Sequence, residues 1–398
     1  MTSTAEQSRS WQGPALFAYG FRPFFLAAGL WAGLAMALWI GMLAGRFALP
    51  TAFDPVSWHA HEFLYGYLGA VMAGFLLTAV PNWTGRRALT GWPLVGLSGL
   101  WVLGRLAVAL SLRLSPVWVA VADLALPLAL FLVIGWEIIS GRNWRNLGVL
   151  ALLAIFALGN AIFHCDGARN NSPAQGMGLR IGVAAAILMI AVVGGRIVPA
   201  FTRNWLTRNN PGRLPSQPEQ AFDKVALAGL LLAGLGWIFS PAAGLTTALL
   251  AIAGLLHLFR LARWAGDRTR AEPLVWVLHL AYGFVPAGAL ALAVANVAPA
   301  WGNRAAGQHL WMAGAIGMMT LAVMTRATRG HTGRALAADR TTAWIYIALL
   351  AAVLLRVAAG FWPELSGTFY TLAGTAWIGC YAGFCWSYGP MLLRPKQG

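Results

Sequence analysis

Long apolar runs alternate with short polar connections along the whole chain. A run of about 20 apolar residues is long enough to cross a bilayer as a helix, and twelve such runs can be counted. Connections as short as Ser240-Pro241-Ala242 join neighbouring runs, so no separate soluble domain is expected. We predict an all-α integral membrane protein that forms a single polytopic domain over residues 1–398. The predicted spans are 24–44, 57–80, 92–111, 115–139, 146–164, 180–200, 223–239, 243–262, 273–294, 306–326, 342–361 and 367–391.

The composition excludes several other classes of protein. Hydrophobic residues make up 59% of the chain and charged residues only 10%, whereas soluble domains are roughly half apolar and about a quarter charged. Such high hydrophobicity also excludes an intrinsically disordered chain. Three cysteines, an odd number spread thinly along the chain, exclude a disulfide-stabilised scaffold.

The charges that remain indicate an orientation. The chain has 28 Lys and Arg residues against 12 Asp and Glu residues, a formal net charge of +16. If both ends of a twelve-span chain lie in the cytoplasm, 21 of the 28 basic residues fall in cytoplasmic segments. Cytoplasmic loops of membrane proteins carry this excess, so we expect a membrane protein with both termini cytoplasmic. The basic excess then requires no nucleic acid partner.

Four of the seven histidines fall at one depth in this topology. His59, His61, His164 and His309 all lie near the predicted outer ends of their helices. Histidine is the commonest metal ligand, and ionisable residues within spans are costly enough to suggest a function. A single histidine at a helix end can simply lie among lipid headgroups. Four at one depth favour a metal site, and these four are the candidate metal ligands.

The segment around Asp54-Pro55 predicts the start of the second helix. Asp is a common N-cap residue and Pro a common first helical residue. His59 and His61 would then lie in the first turns and point about 200° apart, so they should face different sites, or one of them should be structural. Glu62 shares a helix face with His59 and could orient it. Tyr65 shares a face with His61.

The inner ends of helices 2, 6 and 10 resemble one another. Thr-Gly-Arg occurs at 84–86 and 332–334, and Asn-Trp at 82–83 and 204–205. The spacing of four suggests three four-helix units in a pseudo-threefold arrangement, as in haem-copper oxidases, although helix ends at one membrane face can also converge in composition.

Several longer motifs resemble the NnrS family of bacterial membrane proteins along nearly the whole chain. The motifs are Gly20-Phe21-Arg22-Pro23-Phe24-Phe25, Trp58-His59-Ala60-His61-Glu62, the run 75–85, Gly194-Gly195-Arg196, Phe201-Thr202-Arg203-Asn204, Leu278-His279-Leu280 and Met324-Thr325-Arg326-Ala327-Thr328. The resemblance implies a haem- and copper-containing inner-membrane protein linked to nitric oxide and denitrification.

The leading functional hypothesis is reduction or detoxification of nitric oxide at a histidine-ligated metal centre near the periplasmic face. Glu62 and Tyr65 are the candidate catalytic residues, and protons would need a polar route through Glu62, Asp123 or Tyr65. The expected cofactors are haem b and copper or another second metal. Electrons would come from a quinol or a separate donor, because the chain has no ferredoxin-type cysteine run.

The candidate cofactor-binding residues are two histidines and two arginines, namely His279, His309, Arg196 and Arg326. Arginine is well shaped to bind an anion such as a haem propionate, but most arginines at this face set topology, and Arg196 could extend to the interface. Two other functions stay open: a haem protein that binds nitric oxide without turnover, and a membrane transporter, whose polar site would lie nearer the midplane.

Overall fold

The computed structural model describes residues 11–169 and 172–396, and every regular element in those residues is helical. This agrees with the predicted all-α class. It also follows from the surroundings of a membrane protein, since a helix satisfies its own backbone hydrogen bonds where no water is available.

Twelve helices of 18 or more residues occur in the described chain, and each coincides with a predicted span to within a few residues, except that α6 runs further. They are Phe21–Leu43 (α1), Pro55–Thr84 (α2), Trp92–Ala109 (α3), Pro116–Ser140 (α4), Trp144–Ala168 (α5), Met177–Asn209 (α6), Ala221–Phe239 (α7), Gly244–Ala262 (α8), Pro273–Val297 (α9), Arg304–His331 (α10), Arg340–Ala358 (α11) and Ser366–Leu393 (α12).

Eleven of these helices, α1 to α11, are long and apolar enough to cross a membrane. α12 matches the predicted span 367–391, but many of its positions are Gly, Ser, Thr or Tyr, which makes it less apolar than the others. The structure therefore confirms a multi-pass all-α membrane protein, and the count of twelve spans stays a prediction.

The start of α2 is fixed as predicted. The Asp54 carboxylate accepts hydrogen bonds from the backbone N–H groups of Val56 and Ser57, and Pro55 takes the first helical position. These contacts satisfy two of the N–H groups that a helix start leaves without partners. They place His61 within the first two turns.

Among the described residues, three helices contain a π-helical segment, in which the backbone hydrogen bonds reach one residue further than in an α-helix. The segments are Glu62–Tyr67 in α2, Ile190–Gly194 in α6 and Leu310–Met318 in α10. These are the same helices, 2, 6 and 10, that the sequence grouped by their inner ends. The shared segment supports their grouping, while the threefold arrangement itself stays a prediction. Such segments are frequent at functional sites.

The chain divides into two compact units. Unit 1 comprises the described residues of Met1–Gly182, Ala327–Ala335 and Tyr381–Gly398, and unit 2 comprises Val183–Arg326 and Leu336–Cys380. In unit 1, 78% of an 18-residue apolar stretch of α2 is buried inside the protein, compared with only 28% of the corresponding stretch of α4. The exposed side of α4 carries large apolar residues such as Leu128 and Leu132, as expected where a helix meets lipid. Its buried side carries Asp123, which is 4% exposed.

Candidate metal centre

Two polar side chains from the start of α2 lie in the interior of unit 1. His61 and Glu62 are both completely buried. Phe53 stacks on the His61 ring with centroids 5.6 Å apart, and Phe163 lies 5.3 Å away on another side. The apolar rings keep water from the imidazole, so its polar contacts must come from the protein.

These contacts converge on the carboxylate of Asp123 in α4. Nε2 of His61 lies 3.1 Å from Oδ2 of Asp123, and Nε2 of His164 in α5 lies 2.9 Å from the same oxygen. The ligand atoms that His61, Asp123 and His164 could offer to a metal ion all lie within 4.8 Å of one another. Within residues 11–169 and 172–396 this is the one group of three or more His, Cys, Asp or Glu residues that could hold a metal ion.

Asn160 of α5 contacts both Asp123 and His61. Its amide Nδ2 donates to Oδ2 of Asp123 at 2.7 Å, and its Oδ1 lies 3.1 Å from Nε2 of His61. The amide therefore holds the Asp123 carboxylate and also presents an oxygen to the candidate site.

Arg105 of α3 joins the two carboxylates. Its Nη1 donates to both oxygens of Glu62, at 2.7 and 2.6 Å, and its Nη2 donates to Oδ1 of Asp123. A buried charge needs such partners because the loss of hydration is expensive. Two carboxylates and one guanidinium leave one formal negative charge, which favours a cation among these side chains.

The tautomer of His61 shows that the site requires a positive centre. Nδ1 of His61 lies 3.1 Å from Oε1 of Glu62; a carboxylate can only accept, so Nδ1 donates. In neutral imidazole Nε2 is then an acceptor, yet it faces two further acceptors, the oxygens of Asp123 and Asn160. Either a proton or a metal ion between these atoms resolves the conflict. The donor set thus fits a metal ion.

The contact between His61 and Glu62 also resembles a common feature of metal sites. A metal-binding histidine usually donates its other ring N–H to a carboxylate or carbonyl, which fixes the ring. The sequence suggested that Glu62 would orient His59, whereas it contacts His61. The π segment that begins at Glu62 changes the helical register at this point.

His59 points away from this group. Its ring stacks on Trp39 with centroids 4.1 Å apart and packs against Phe63 at 4.7 Å. The prediction that His59 and His61 face different surroundings is therefore confirmed. Tyr65 lies beside His61, with ring centroids 5.4 Å apart, and its hydroxyl donates to the Gly178 carbonyl at 2.8 Å.

In unit 2 the structure brings two candidate cofactor residues to adjacent positions of α6. The Arg326 guanidinium lies 4.2 Å from the centre of the Phe201 ring, and Nε2 of His279 lies 2.7 Å from the hydroxyl of Thr202. The other two candidates lie elsewhere. Arg196 pairs with the Glu219 carboxylate at 2.9 Å.

His309 lies near the opposite end of α10 from Arg326, 17 residues away. At about 1.5 Å per residue the separation is roughly 25 Å. Nδ1 of His309 lies 2.7 Å from the carbonyl oxygen of Ala305, to which it can only donate. The structure thus does not bring His309 and Arg326 to one place.

A second buried polar group lies in unit 2, and it is fully hydrogen-bonded. Arg260 donates to the Asp223 carboxylate at 2.8 Å and to the Tyr282 hydroxyl at 2.8 Å. The Tyr282 hydroxyl lies 2.8 Å from Nδ1 of His257, whose Nε2 donates to the Ala226 carbonyl at 3.0 Å. Every ring nitrogen has a partner of the correct kind, so this group holds helices together and leaves no vacancy for a ligand.

Sequence reasoning missed three residues of the metal centre as ligands or partners: Arg105, Asp123 and Asn160. The available signal was the position of Arg105 and Asp123 inside apolar spans, which is costly without a partner. Their pairing depends on how α3, α4 and α5 pack, which no single segment of sequence specifies.

Comparison with known families gives a match over nearly the whole chain. The model of the family described as NnrS protein matches residues 15–396, nearly the whole chain. A comparison with curated proteins finds no match. The matched region contains every residue of the centre described above, and it confirms the resemblance carried by the sequence motifs. The chain therefore belongs to the NnrS protein family.

Proposed function

We propose that the protein binds nitric oxide at a metal ion held by His61, Asp123 and His164, and that it reduces the bound gas. The observation that carries the proposal is the convergence of two imidazole nitrogens on one buried carboxylate oxygen, at 3.1 and 2.9 Å. Family membership supplies the link to nitric oxide.

The donor set favours iron(II) as the metal. Two histidines and one carboxylate with open positions are typical of non-haem iron sites, although imidazole also suits copper. Such an ion supplies affinity for nitric oxide and a route for electrons. The chain's own residues hold it: Glu62 fixes the His61 ring through Nδ1, and Arg105 offsets the charge of two carboxylates.

The proposed reaction joins two molecules of nitric oxide with two electrons and two protons to give nitrous oxide and water. A quinol or a separate protein supplies the electrons. Glu62 acts as a positioning residue through His61, and Tyr65 lines a small cavity beside the centre. With its hydroxyl committed to the Gly178 carbonyl, Tyr65 is not a ligand in this arrangement.

A haem b remains part of the proposal, and of the candidate ligands His309 fits it best. Its Nδ1 donates to a backbone carbonyl, the arrangement that commonly leaves Nε2 to bind iron. His279 fits less well, because its Nε2 lies 2.7 Å from the Thr202 hydroxyl. Its buried Nδ1 has no hydrogen-bond partner, but a Cβ added to Gly266 would lie 2.5 Å from it, so little space remains on that side of the ring.

We further propose that the chain lies in the bacterial inner membrane with both termini in the cytoplasm. The distribution of the 28 basic residues supports this orientation. Cysteine labelling in intact cells and in inverted vesicles tests it, with a single cysteine placed in the connection between α6 and α7.

The test of function measures metal content, nitric oxide binding and nitric oxide consumption on purified protein with a quinol. We expect one non-haem metal ion per chain, lost in H61A and in H164A, and nitrous oxide as the product. His331, whose ring packs on Tyr19 and Phe21 at 5.5 and 5.4 Å, provides the control variant H331Q. If H61A keeps the metal, the proposed metal site is wrong. If the protein binds nitric oxide in a metal-dependent way but does not consume it, the protein binds nitric oxide and is not a reductase.

A further inference from the structure

A small cavity adjoins the metal centre within unit 1. It has a volume of about 20 Å³ and shares Arg105, Asp123, Asn160 and Tyr65 with the centre. Most of the remaining wall is apolar and includes Leu126, Leu130, Leu153 and Phe156. About 10–15 Å³ suffices to hold one water molecule, so the cavity accommodates one or two molecules of that size.

Pro127 explains why the cavity lies beside Asp123. A proline inside a helix has no N–H for the carbonyl four residues earlier, and its ring pushes that carbonyl away. The carbonyl four residues before Pro127 belongs to Asp123, and both residues line the cavity. α4 is thus opened at the residue that offers the carboxylate.

Gly69 and Pro127 are half-buried, whereas the other wall residues are buried, and we therefore place the mouth of the cavity at these two residues. Gly69 lies near the middle of the 30 residues of α2, and Pro127 lies near the middle of the 25 residues of α4. A Cβ added at Gly69 would meet no atom within 4 Å. The mouth therefore opens at the mid-depth of membrane-spanning helices, where the surroundings are hydrocarbon.

The wall chemistry selects an uncharged occupant. In the wall of the cavity itself, the charges of Arg105 and Asp123 offset each other, so the wall carries no net charge that would draw an ion into the cavity. The apolar remainder and the lipid-side mouth suit a small gas that dissolves in hydrocarbon. Asn160 and Asp123 belong both to the wall of the cavity and to the metal centre, so they connect the two.

We propose that this cavity is the entry and waiting site for a diatomic gas, which reaches the metal centre from the bilayer through the mouth at Gly69 and Pro127. The inference rests on the proposed function for its substrate, nitric oxide. The cavity and its mouth are properties of this chain that can be tested without nitric oxide.

The decisive variant is G69L, which fills the mouth, and its matched control is G99L. Gly99 lies in α3, is exposed, meets no atom within 4 Å of an added Cβ and does not line the cavity. Leucine is a better helix former than glycine, so both variants should fold. G69A provides a smaller step should G69L fold poorly.

Xenon is the first probe, because it binds small apolar cavities irrespective of metal content. We expect one xenon atom beside Pro127 in the wild-type protein and in G99L, and none in G69L. Water in place of xenon in the wild-type cavity overturns the proposal. Because no metal is involved, this result stands apart from the success or failure of the proposed function.

The second readout is the rate at which nitric oxide binds to the metal-loaded protein. We expect that rate to fall about tenfold or more in G69L, less in G69A and not at all in G99L, since a blocked route slows association. Metal content should be equal in all four proteins. A wild-type rate in G69L with the metal retained overturns the route, whereas no binding in any of the four proteins contradicts the proposed function alone.

Discussion

Nδ1 of His61 lies 3.1 Å from Oε1 of Glu62, although the two residues are consecutive in α2. Neighbouring residues of an α-helix point about 100° apart and rarely bond through their side chains. The π segment begins at Glu62, and the Arg105 guanidinium holds the carboxylate from the other side. The imidazole is therefore oriented from within its own helix.

E62Q should weaken metal binding without removing it. The amide can still face Nδ1 of His61, but it lacks the charge that strengthens the ligand, and loss of such a partner typically costs about 10–100-fold in metal affinity. Titration with iron(II) or copper measures the affinity. E137Q is the control, because Glu137 pairs with Arg86 in a partly exposed contact at 2.8 Å. An unchanged affinity in E62Q would show that the contact does not act on the metal.

R105M should destabilise the protein and increase its dependence on metal. Removing the guanidinium leaves Glu62 and Asp123 buried without their counter-charge, and breaking a buried pair costs about 3–5 kcal/mol. A divalent cation offsets the two carboxylates, so added metal should restore more stability to R105M than to the wild type. Thermal unfolding in detergent, with and without metal, measures the difference. Equal stabilisation of both proteins by metal would contradict the charge argument.

Y282F should lower stability without affecting the metal centre. The Tyr282 hydroxyl accepts from Arg260 and faces Nδ1 of His257. Without that hydroxyl, one buried donor and one buried acceptor lose their partners, at a cost of about 1–3 kcal/mol. Unfolding and metal analysis are measured together. Loss of metal in Y282F at normal stability would assign this group a role that its hydrogen bonding does not indicate.

H309A and H279A should differ if the purified protein carries haem b. We expect H309A to lose the haem absorption band, because Nδ1 of His309 donates to the Ala305 carbonyl and its other nitrogen suits iron. H279A should keep the band, since Thr202 and Gly266 close off its ring. The optical spectrum of each variant decides between them. The reverse result would assign the haem to His279 instead of His309.

Local signals were the most predictive part of the sequence. Asp54 and Pro55 specify the start of α2 through contacts within three residues, and the structure has the same cap. The opposite directions of His59 and His61 follow from helix geometry alone, and they too are observed. The spans follow from apolar length, which the bilayer sets independently of packing.

The composition of the centre was less predictable, for two physical reasons. Asp123 meets His61 and His164 only because α2, α4 and α5 pack together, and packing depends on the whole unit. The partner of Glu62 depends on a π segment, which the expectation of regular α-helix does not contain. His164 was a candidate by depth, but the carboxylate it contacts was not among the predicted ligands.

The π segment Glu62–Tyr67 gives α2 one residue more than an uninterrupted α-helix needs for the same path. Removing a single residue there would turn everything before it by about 100° relative to everything after it. The ligand at His61 and the wall of the cavity at Gly69 lie on opposite sides of this insertion. In evolutionary terms, inserting or deleting one codon at this place would bring the proposed metal ligand and the proposed gas cavity into a common register, or separate them.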